Sequence, residues 1–145
     1  MINYDLYRNM LLSLIKVVQN IVPTEVAVVD ETEEDLVTST IGVYPGPIRY
    51  EAFELGNEDA NDVCNWMFAI YANTAAQRDY LSLLLYNKLK EWVVQVLDFS
   101  SSETLLGRMY IKDTISVDLK RAPREAIDKL RYFAIVSFQS TFMEA

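Results

Sequence analysis

Two side chains capable of joint chemistry lie two residues apart in the second half of the chain. Asp118 and Lys120 share one side of a predicted strand, and a carboxylate beside an amine is a pairing suited to metal-dependent hydrolysis. The same side of that strand carries three further polar residues, Lys112, Thr114 and Ser116. Because such a polar row is typical of a solvated surface, the alternative interpretation is an exposed strand face without a catalytic role.

The absence of histidine narrows the chemistry that this sequence can perform. Histidine is the commonest general base and metal ligand at neutral pH, and the 145 residues contain none. Ser–His and Cys–His nucleophile pairs are therefore excluded, so catalysis would need carboxylates, lysine or tyrosine. The single cysteine, Cys64, lies in an apolar stretch without a second cysteine to pair with. We expect a buried apolar side chain there, and no metal or other cofactor.

The Asp118-Leu119-Lys120 triplet resembles the metal-binding half of restriction-like nucleases. That resemblance implies a carboxylate-dependent nuclease, and it requires an upstream acidic residue on an adjacent strand, for which Asp98 or Asp113 is available. An Asp-x-Lys triplet also arises by chance in many domains of this size. The nuclease is therefore an alternative to the functional hypothesis developed below.

Negative charge is concentrated in the first part of the sequence. Residues 1–62 hold twelve acidic and three basic residues, a net charge of −9, whereas residues 63–145 hold nine and ten, a net charge of +1. Five of the acids form one run, Asp30, Glu31, Glu33, Glu34 and Asp35. We expect a solvated loop there, and the alternative is a carboxylate cage for a divalent cation. The acidic balance disfavours a dedicated nucleic-acid site.

The basic residues of the second part gather between positions 120 and 131. They are Lys120, Arg121, Arg124, Lys129 and Arg131, without the interleaved aromatic residues that stack on bases. We expect surface salt bridges from them. A further hypothesis is that Arg121 and Arg124 contact the acidic run of a second copy, because opposite patches on different parts of one subunit give head-to-tail contacts that can close into a ring.

Apolar spacing and turn residues predict one α+β domain over residues 1–145, with a mainly antiparallel β-sheet and an N-terminal and a central helix packed on one face. The predicted helices cover residues 4–22 and 75–92. The predicted strands cover residues 25–29, 48–55, 62–72, 93–99, 108–120 with a break near Asp113, and 130–142. No stretch is apolar for long enough to predict a membrane span.

Turn and cap residues fix two of these boundaries. Tyr44-Pro45-Gly46-Pro47 predicts a corner before the strand at residues 48–55, and residues 56–61 predict the turn of a β-hairpin. At the other boundary, an apolar strand ends just before Thr74, whose hydroxyl suits a helix N-cap. Gln77 lies three residues further on and completes the pattern of a capping box. The sequence thus predicts a strand that leads directly into a helix.

The stretch from Trp66 to Leu81 is similar to a segment of the tail terminator and related neck proteins of tailed bacteriophages. In those proteins a sheet strand runs into a helix that starts with an Asn-x-x-x-Gln-Arg-Asp type segment, and here Asn73 is followed by Gln77-Arg78-Asp79. The predicted order of helices and strands agrees with this family over most of the chain. The acidic run at residues 30–35 departs from it.

The resemblance implies a structural virion protein rather than an enzyme. Its members are small α+β subunits, commonly in rings of six, that terminate the tail tube and join it to the head connector. The implied partners are further copies of the chain, the tail tube protein and the head connector or adaptor protein, and assembly takes place in the host cytoplasm. DNA passes through the bore, where an excess of carboxylates would repel its phosphates. A head-closure or portal-adaptor protein is the alternative within the same class.

Arg78 and Asp79 have two interpretations in this setting. Both lie in the first turn of the second predicted helix, where Asp79 favours the positive end of the helix dipole and Arg78 points away from the apolar stripe. Helix capping and solubility explain them within one chain. An ion pair between subunits that sets the register of a ring is the alternative.

Overall fold

The computed structural model describes residues 2–30, 38–51, 61–112, 114–121 and 132–145. These residues form two helices and a seven-stranded sheet, and they confirm the α+β class predicted from the sequence. The helices are α1 (Tyr4–Ile21) and α2 (Ala75–Leu89). The strands are β1 (Ala27–Asp30), β2 (Thr40–Glu51), β3 (Asn61–Ala72), β4 (Val93–Asp98), β5 (Thr104–Ile111), β6 (Ser116–Arg121) and β7 (Tyr132–Glu144).

The sheet is built around β3 and β7. Its strand order is β1-β2-β3-β7-β5-β4, and every pairing is antiparallel except that of β1 with β2. Along its other side β7 has two neighbours in succession, because β6 pairs with its first half and β5 with its second half. The predicted break in the strand at residues 108–120 is therefore confirmed as the boundary between β5 and β6, while Asp113 itself lies outside the described residues.

The predicted corner at residues 44–47 is wrong, because β2 continues through it. The sheet register places Pro45 opposite Trp66 and Ile48 opposite Cys64, so the extra residues form a β-bulge. Proline cannot donate a ladder hydrogen bond and is tolerated at a bulge or on an edge strand. Among the described residues, β1 pairs with residues 40–43 of β2, and the prolines lie beyond this pairing. The predicted hairpin turn at residues 56–61 lies almost wholly outside the described residues, but the antiparallel pairing of its two strands is confirmed.

Helix α1 begins and ends with identifiable signals. The Asn3 side chain caps it by accepting a hydrogen bond of 2.8 Å from the Leu6 N–H, and Pro23 follows shortly after the helix ends at Ile21. The residues that α1 buries include Met10, Leu14 and Val18. This helix contacts β1 and β2 at one edge of the sheet and β4 at the other edge. The sheet therefore curls around α1, although the two edges are far apart in strand order.

Two polar side chains of α1 attach it to β4. The Ser13 hydroxyl accepts a hydrogen bond of 3.1 Å from the Leu97 N–H and donates one to the carbonyl oxygen of Asn9. The Asn9 side chain accepts a further hydrogen bond from the Phe99 N–H. Backbone groups at a sheet edge are otherwise available for pairing with another chain. Helix α1 thus occupies part of the β4 edge.

Helix α2 starts where the sequence predicts. The Thr74 hydroxyl accepts a hydrogen bond of 3.1 Å from the Gln77 N–H, which confirms the N-cap. The second half of the capping box is replaced, because the Gln77 side-chain oxygen accepts a hydrogen bond from Ser39 instead. The helix ends at Leu89, three residues before the predicted end at residue 92, since a turn is needed before β4 begins at Val93.

Both helices pack on the same face of the sheet, as predicted. The apolar residues of α1 and α2 belong to one core cluster with the alternate β3 residues Cys64, Trp66, Phe68 and Ile70. Within this core the Trp66 indole N–H donates a hydrogen bond of 2.9 Å to the Ser140 hydroxyl, so its polar atom is paired. Cys64 is fully buried, which confirms its prediction as an apolar core residue. Burial, with a smaller contribution from Asp62, raises the pKa of its thiol to about 11.

Candidate functional site

Of the acidic residues proposed for hydrolysis, the two that the structure describes, Asp98 and Asp118, lie on strands that do not pair with each other. Asp118 is exposed on β6, opposite Ile135 of β7, whereas Asp98 ends β4, opposite Thr104 of β5. β4 and β6 do not pair with each other in the described residues. The Asp98 carboxylate instead accepts hydrogen bonds from the backbone N–H and the hydroxyl of Ser100, which makes it a turn cap. Asp98 is therefore poorly placed to assist Asp118.

No described residues form a group of three or more acidic or cysteine side chains able to hold a metal ion. Lys120 follows Asp118 along β6, so the predicted spacing on one strand is present. Asp113, the other proposed acidic partner, lies outside the described ranges. Within the triplet, Asp118 and Leu119 are exposed.

Of the acidic and the basic segment proposed to join subunits, the structure describes only the beginning of each. Asp30 ends β1, and its carboxylate accepts a hydrogen bond from Arg8 of the same chain, which raises the pKa of the Arg8 guanidinium. Arg121 ends β6. The remaining members, Glu31, Glu33, Glu34, Asp35 and Arg124, lie outside the described residues. The hypothesis that these segments contact each other between copies stays a prediction.

Arg78 is held within its own chain. Its side chain is only 16% exposed, its Nε donates a hydrogen bond of 3.0 Å to the Asp79 carboxylate, and its guanidinium carbon lies 5.6 Å from the ring centroid of Tyr132. Tyr132 is the first residue of β7, so this contact ties the start of α2 to the sheet. Asp79 is 46% exposed and has free surface for a second contact. These contacts provide an intrachain role for Arg78.

An open groove lies at the N-terminal end of α1. It has a volume of about 790 Å³ and lies between α1, the β4–β5 turn and the end of β7. Its apolar lining residues are Leu6, Leu12, Phe99, Leu105, Leu106 and Phe142. Its charged lining residues are Asp5, Arg8, Asp98 and Glu144. Arg8 already pairs with Asp30, so the border of the groove has an excess of negative charge.

Sequence reasoning missed this groove because its residues come from three distant parts of the chain. Leu6 and Leu12 belong to α1, Leu105 and Leu106 to β5, and Phe142 to β7. The one local signal was that Leu12 and Leu105 are large apolar residues at positions outside the regular buried spacing of α1 and β5. No spacing rule predicts that the start of α1 meets the end of β7.

A second groove, of about 590 Å³, follows the β-bulge on the face of the sheet away from the helices. A chain of hydrogen bonds crosses it: Arg49 donates to Gln139, Gln139 donates to Asn65, and Asn65 donates to the carbonyl oxygen of Pro47. These bonds link β2, β3 and β7 and hold the bulge in place. The polar side chains of this groove bond to one another and to the bulge, so they have a structural role.

Neither described helix has the length and hydropathy that crossing a lipid bilayer requires. No protein-family model matches the sequence, and no curated protein matches it.

Proposed function

We propose that this chain is a structural virion protein of a tailed bacteriophage, which forms a ring that terminates the tail tube and joins it to the head connector. The observation that carries the proposal is the junction of β3 with α2. The residues that resemble the family, Asn73 and Gln77-Arg78-Asp79, form a capped strand-to-helix junction, as that resemblance implies. The ring is expected to contain six copies.

The contacts of this junction support a building-block role. Thr74 fixes the start of α2, Gln77 accepts a hydrogen bond from Ser39 just before β2, and Arg78 lies against Tyr132 at the start of β7. The segment therefore joins α2 to both neighbours of β3, at the start of β2 and at the start of β7. A fixed junction of this kind keeps the helix surface in one orientation, which a repeated contact between copies requires.

The distribution of charge supports assembly rather than catalysis as the main role. The groove has an acidic border, whereas the sequence from residue 120 to residue 131 is basic, so one copy carries segments of both signs. The nuclease alternative is weakened by the separation of Asp98 from Asp118. DNA is expected only to pass through the bore, and the acidic balance of the chain would prevent it from binding there.

The state of the purified protein tests the ring. Native mass spectrometry and negative-stain electron microscopy of the full chain are expected to give a closed assembly with a central opening and the mass of six copies. A chain that stays monomeric at every concentration contradicts the proposal. A twelve-copy ring retains the structural role and favours the adaptor alternative.

Particle morphology tests the position of the ring in the virion. Particles assembled without this chain are expected to have overlong or headless tails if it terminates the tail tube. Heads that leak DNA, with tails of normal length, favour the head-closure or portal-adaptor alternative. A divalent-metal nuclease assay with the wild-type chain and an Asp118→Asn control separates the enzymatic hypothesis: cleavage that the substitution abolishes contradicts a purely structural role.

A further inference from the structure

The groove at the N-terminal end of α1 has the chemistry of a peptide-docking surface. Apolar side chains line it, and Leu105 among them is 36% exposed, so an incoming apolar side chain gains buried area there. Asp5, Asp98 and Glu144 border this floor, and Arg8, the basic residue among its described lining, is paired with Asp30. An occupant with apolar side chains between basic ones would match both properties.

The chain itself contains a segment of that composition. Residues 120–131 hold five basic residues and two acidic ones, which gives a net charge of +3. Between the basic residues lie two large apolar ones, Ile127 and Leu130. This basic segment is defined here by its sequence alone, since most of it lies outside the described residues.

A chain's own basic segment is too far away to enter its own groove. The segment connects Arg121 to Tyr132, which lie opposite each other in the sheet, whereas Glu144 at the groove ends the same strand β7. A strand of 13 residues spans roughly 40 Å. Ten residues with paired ends extend at most about 18 Å from those ends, even when fully stretched. The occupant must therefore come from another copy.

We propose that this groove binds the basic segment, residues 120–131, of a second copy of the chain. The inference rests on the proposed ring and identifies one contact that builds it. The basic segment leaves β6 at Arg121, opposite Tyr132 at the start of β7, whereas Glu144 of the groove ends that strand. Because the contact joins two different parts of the chain, in a ring it is head-to-tail: each copy gives its segment to one neighbour and receives a segment from the other. Asp30, the first residue of the acidic run, bonds Arg8 of the groove lining and cancels the positive charge that would repel a basic occupant.

Charge reversal on the full chain tests the contact. The groove variant Asp5→Lys/Glu144→Lys and the segment variant Arg124→Glu/Lys129→Glu are each expected to lose the assembly and run as monomers in native mass spectrometry. The chain that carries both pairs of substitutions is expected to regain the assembly, because the two charge patterns are exchanged. Exposed residues provide the matched control, Glu25→Lys/Glu91→Lys, which changes the net charge equally and is expected to assemble like wild type.

A covalent probe covers the case in which a reversed variant fails to fold. In a Cys64→Ser background, Leu105→Cys protein is mixed with Ile127→Cys protein and oxidised. A disulfide-linked pair is expected from the mixture, in excess of the pair formed when Glu91→Cys replaces Leu105→Cys. Circular dichroism of every variant reports whether the fold is retained.

The outcomes separate the contact from the ring. A ring that survives both reversed variants and gives no excess disulfide overturns the contact and leaves the proposed function standing. An assembly of two copies that the reversals abolish retains the contact, as a reciprocal pair, and overturns the ring. A monomeric wild-type chain without a disulfide-linked pair overturns both.

Discussion

The hydroxyl oxygen of Ser13 lies 3.1 Å from the backbone nitrogen of Leu97 and accepts its hydrogen bond. Ser13 is 1% exposed and also donates to the carbonyl oxygen of Asn9, so both roles of its hydroxyl are in use. This bond joins the middle of α1 to the outer side of β4, across 84 residues of sequence. It is one of the contacts that keep the curled sheet closed around the helix.

Ser13→Ala is expected to lower the free energy of unfolding by about 1–3 kcal/mol, because the partly buried Leu97 N–H loses its acceptor. Urea unfolding monitored by circular dichroism measures the loss. Amide hydrogen exchange at Leu97 is expected to accelerate at the same time. Ser116→Ala, at an exposed position on β6, is the control and should change the free energy of unfolding by less than about 0.5 kcal/mol. Equal effects of the two substitutions would contradict the role assigned to Ser13.

Gly107→Ala is expected to destabilise the fold by about 1–3 kcal/mol through overpacking. A Cβ atom at this position would overlap the backbone oxygen of Met143 and the ring of Phe142, which lie on the neighbouring strand. Gly46→Ala is the milder comparison, since its Cβ would lie 2.9 Å from the Cβ of Asn65 in an open groove. Thermal unfolding of both variants measures the order. A smaller loss for Gly107→Ala than for Gly46→Ala would show that the end of β7 moves away without cost.

Arg78→Ala is expected to lower the stability of the isolated chain by about 1 kcal/mol, because Arg78 loses its contact with the Tyr132 ring and its bond to Asp79. Urea unfolding of a dilute, monomeric sample isolates this effect from assembly. Tyr132→Phe keeps the aromatic face and is the control that should retain most of the stability. If Arg78 acts only between copies, monomer stability will stay unchanged while the assembly is lost.

Alkaline pH is expected to weaken the fold through Cys64. Burial raises the pKa of its thiol from 9.0 to about 11 in the folded chain, so the unfolded chain releases the proton first. Below pH 9 both states keep the proton and the effect is absent; between pH 9 and about 11 the free energy of unfolding falls. Urea unfolding across this range, compared between wild type and Cys64→Ala, isolates the contribution. Parallel pH profiles for the two chains would mean that folding does not raise the pKa of the Cys64 thiol.

Local signals in the sequence were sufficient for the helices and for the centre of the sheet. Thr74 lies at a helix start because its hydroxyl bonds within three residues, and the alternation from Cys64 to Ile70 faces one core. The prediction of a corner at Tyr44-Pro45-Gly46-Pro47 is wrong, because β2 runs through these residues with a β-bulge. A proline is tolerated in a strand where no neighbour needs its N–H, and the described pairing of β1 with β2 ends at Val43, before Pro45. The end of this pairing is a tertiary feature that the local sequence does not contain.

The groove and the attachment of α1 to β4 were beyond local reasoning. Ser13 is a polar residue between buried apolar ones on α1, which was a usable signal for a buried hydrogen bond. Its partner, Leu97, has no sequence feature that identifies it, because any backbone N–H at an unpaired strand position would serve. The sequence identifies the charged residues as a set. That Arg121 lies opposite the start of β7, whereas Glu144 ends this strand, depends on the pairing of β6 with β7.

The place of β7 in the sheet has a consequence for synthesis on the ribosome. Residues 132–144 form β7, which pairs with three strands that are synthesised earlier, β3, β5 and β6. A nascent chain that lacks β7 contains both helices but cannot complete the centre of its sheet. Several strand edges are then exposed at once. Premature release would yield fragments prone to aggregation, because the sheet can be completed only after β7 has left the ribosome.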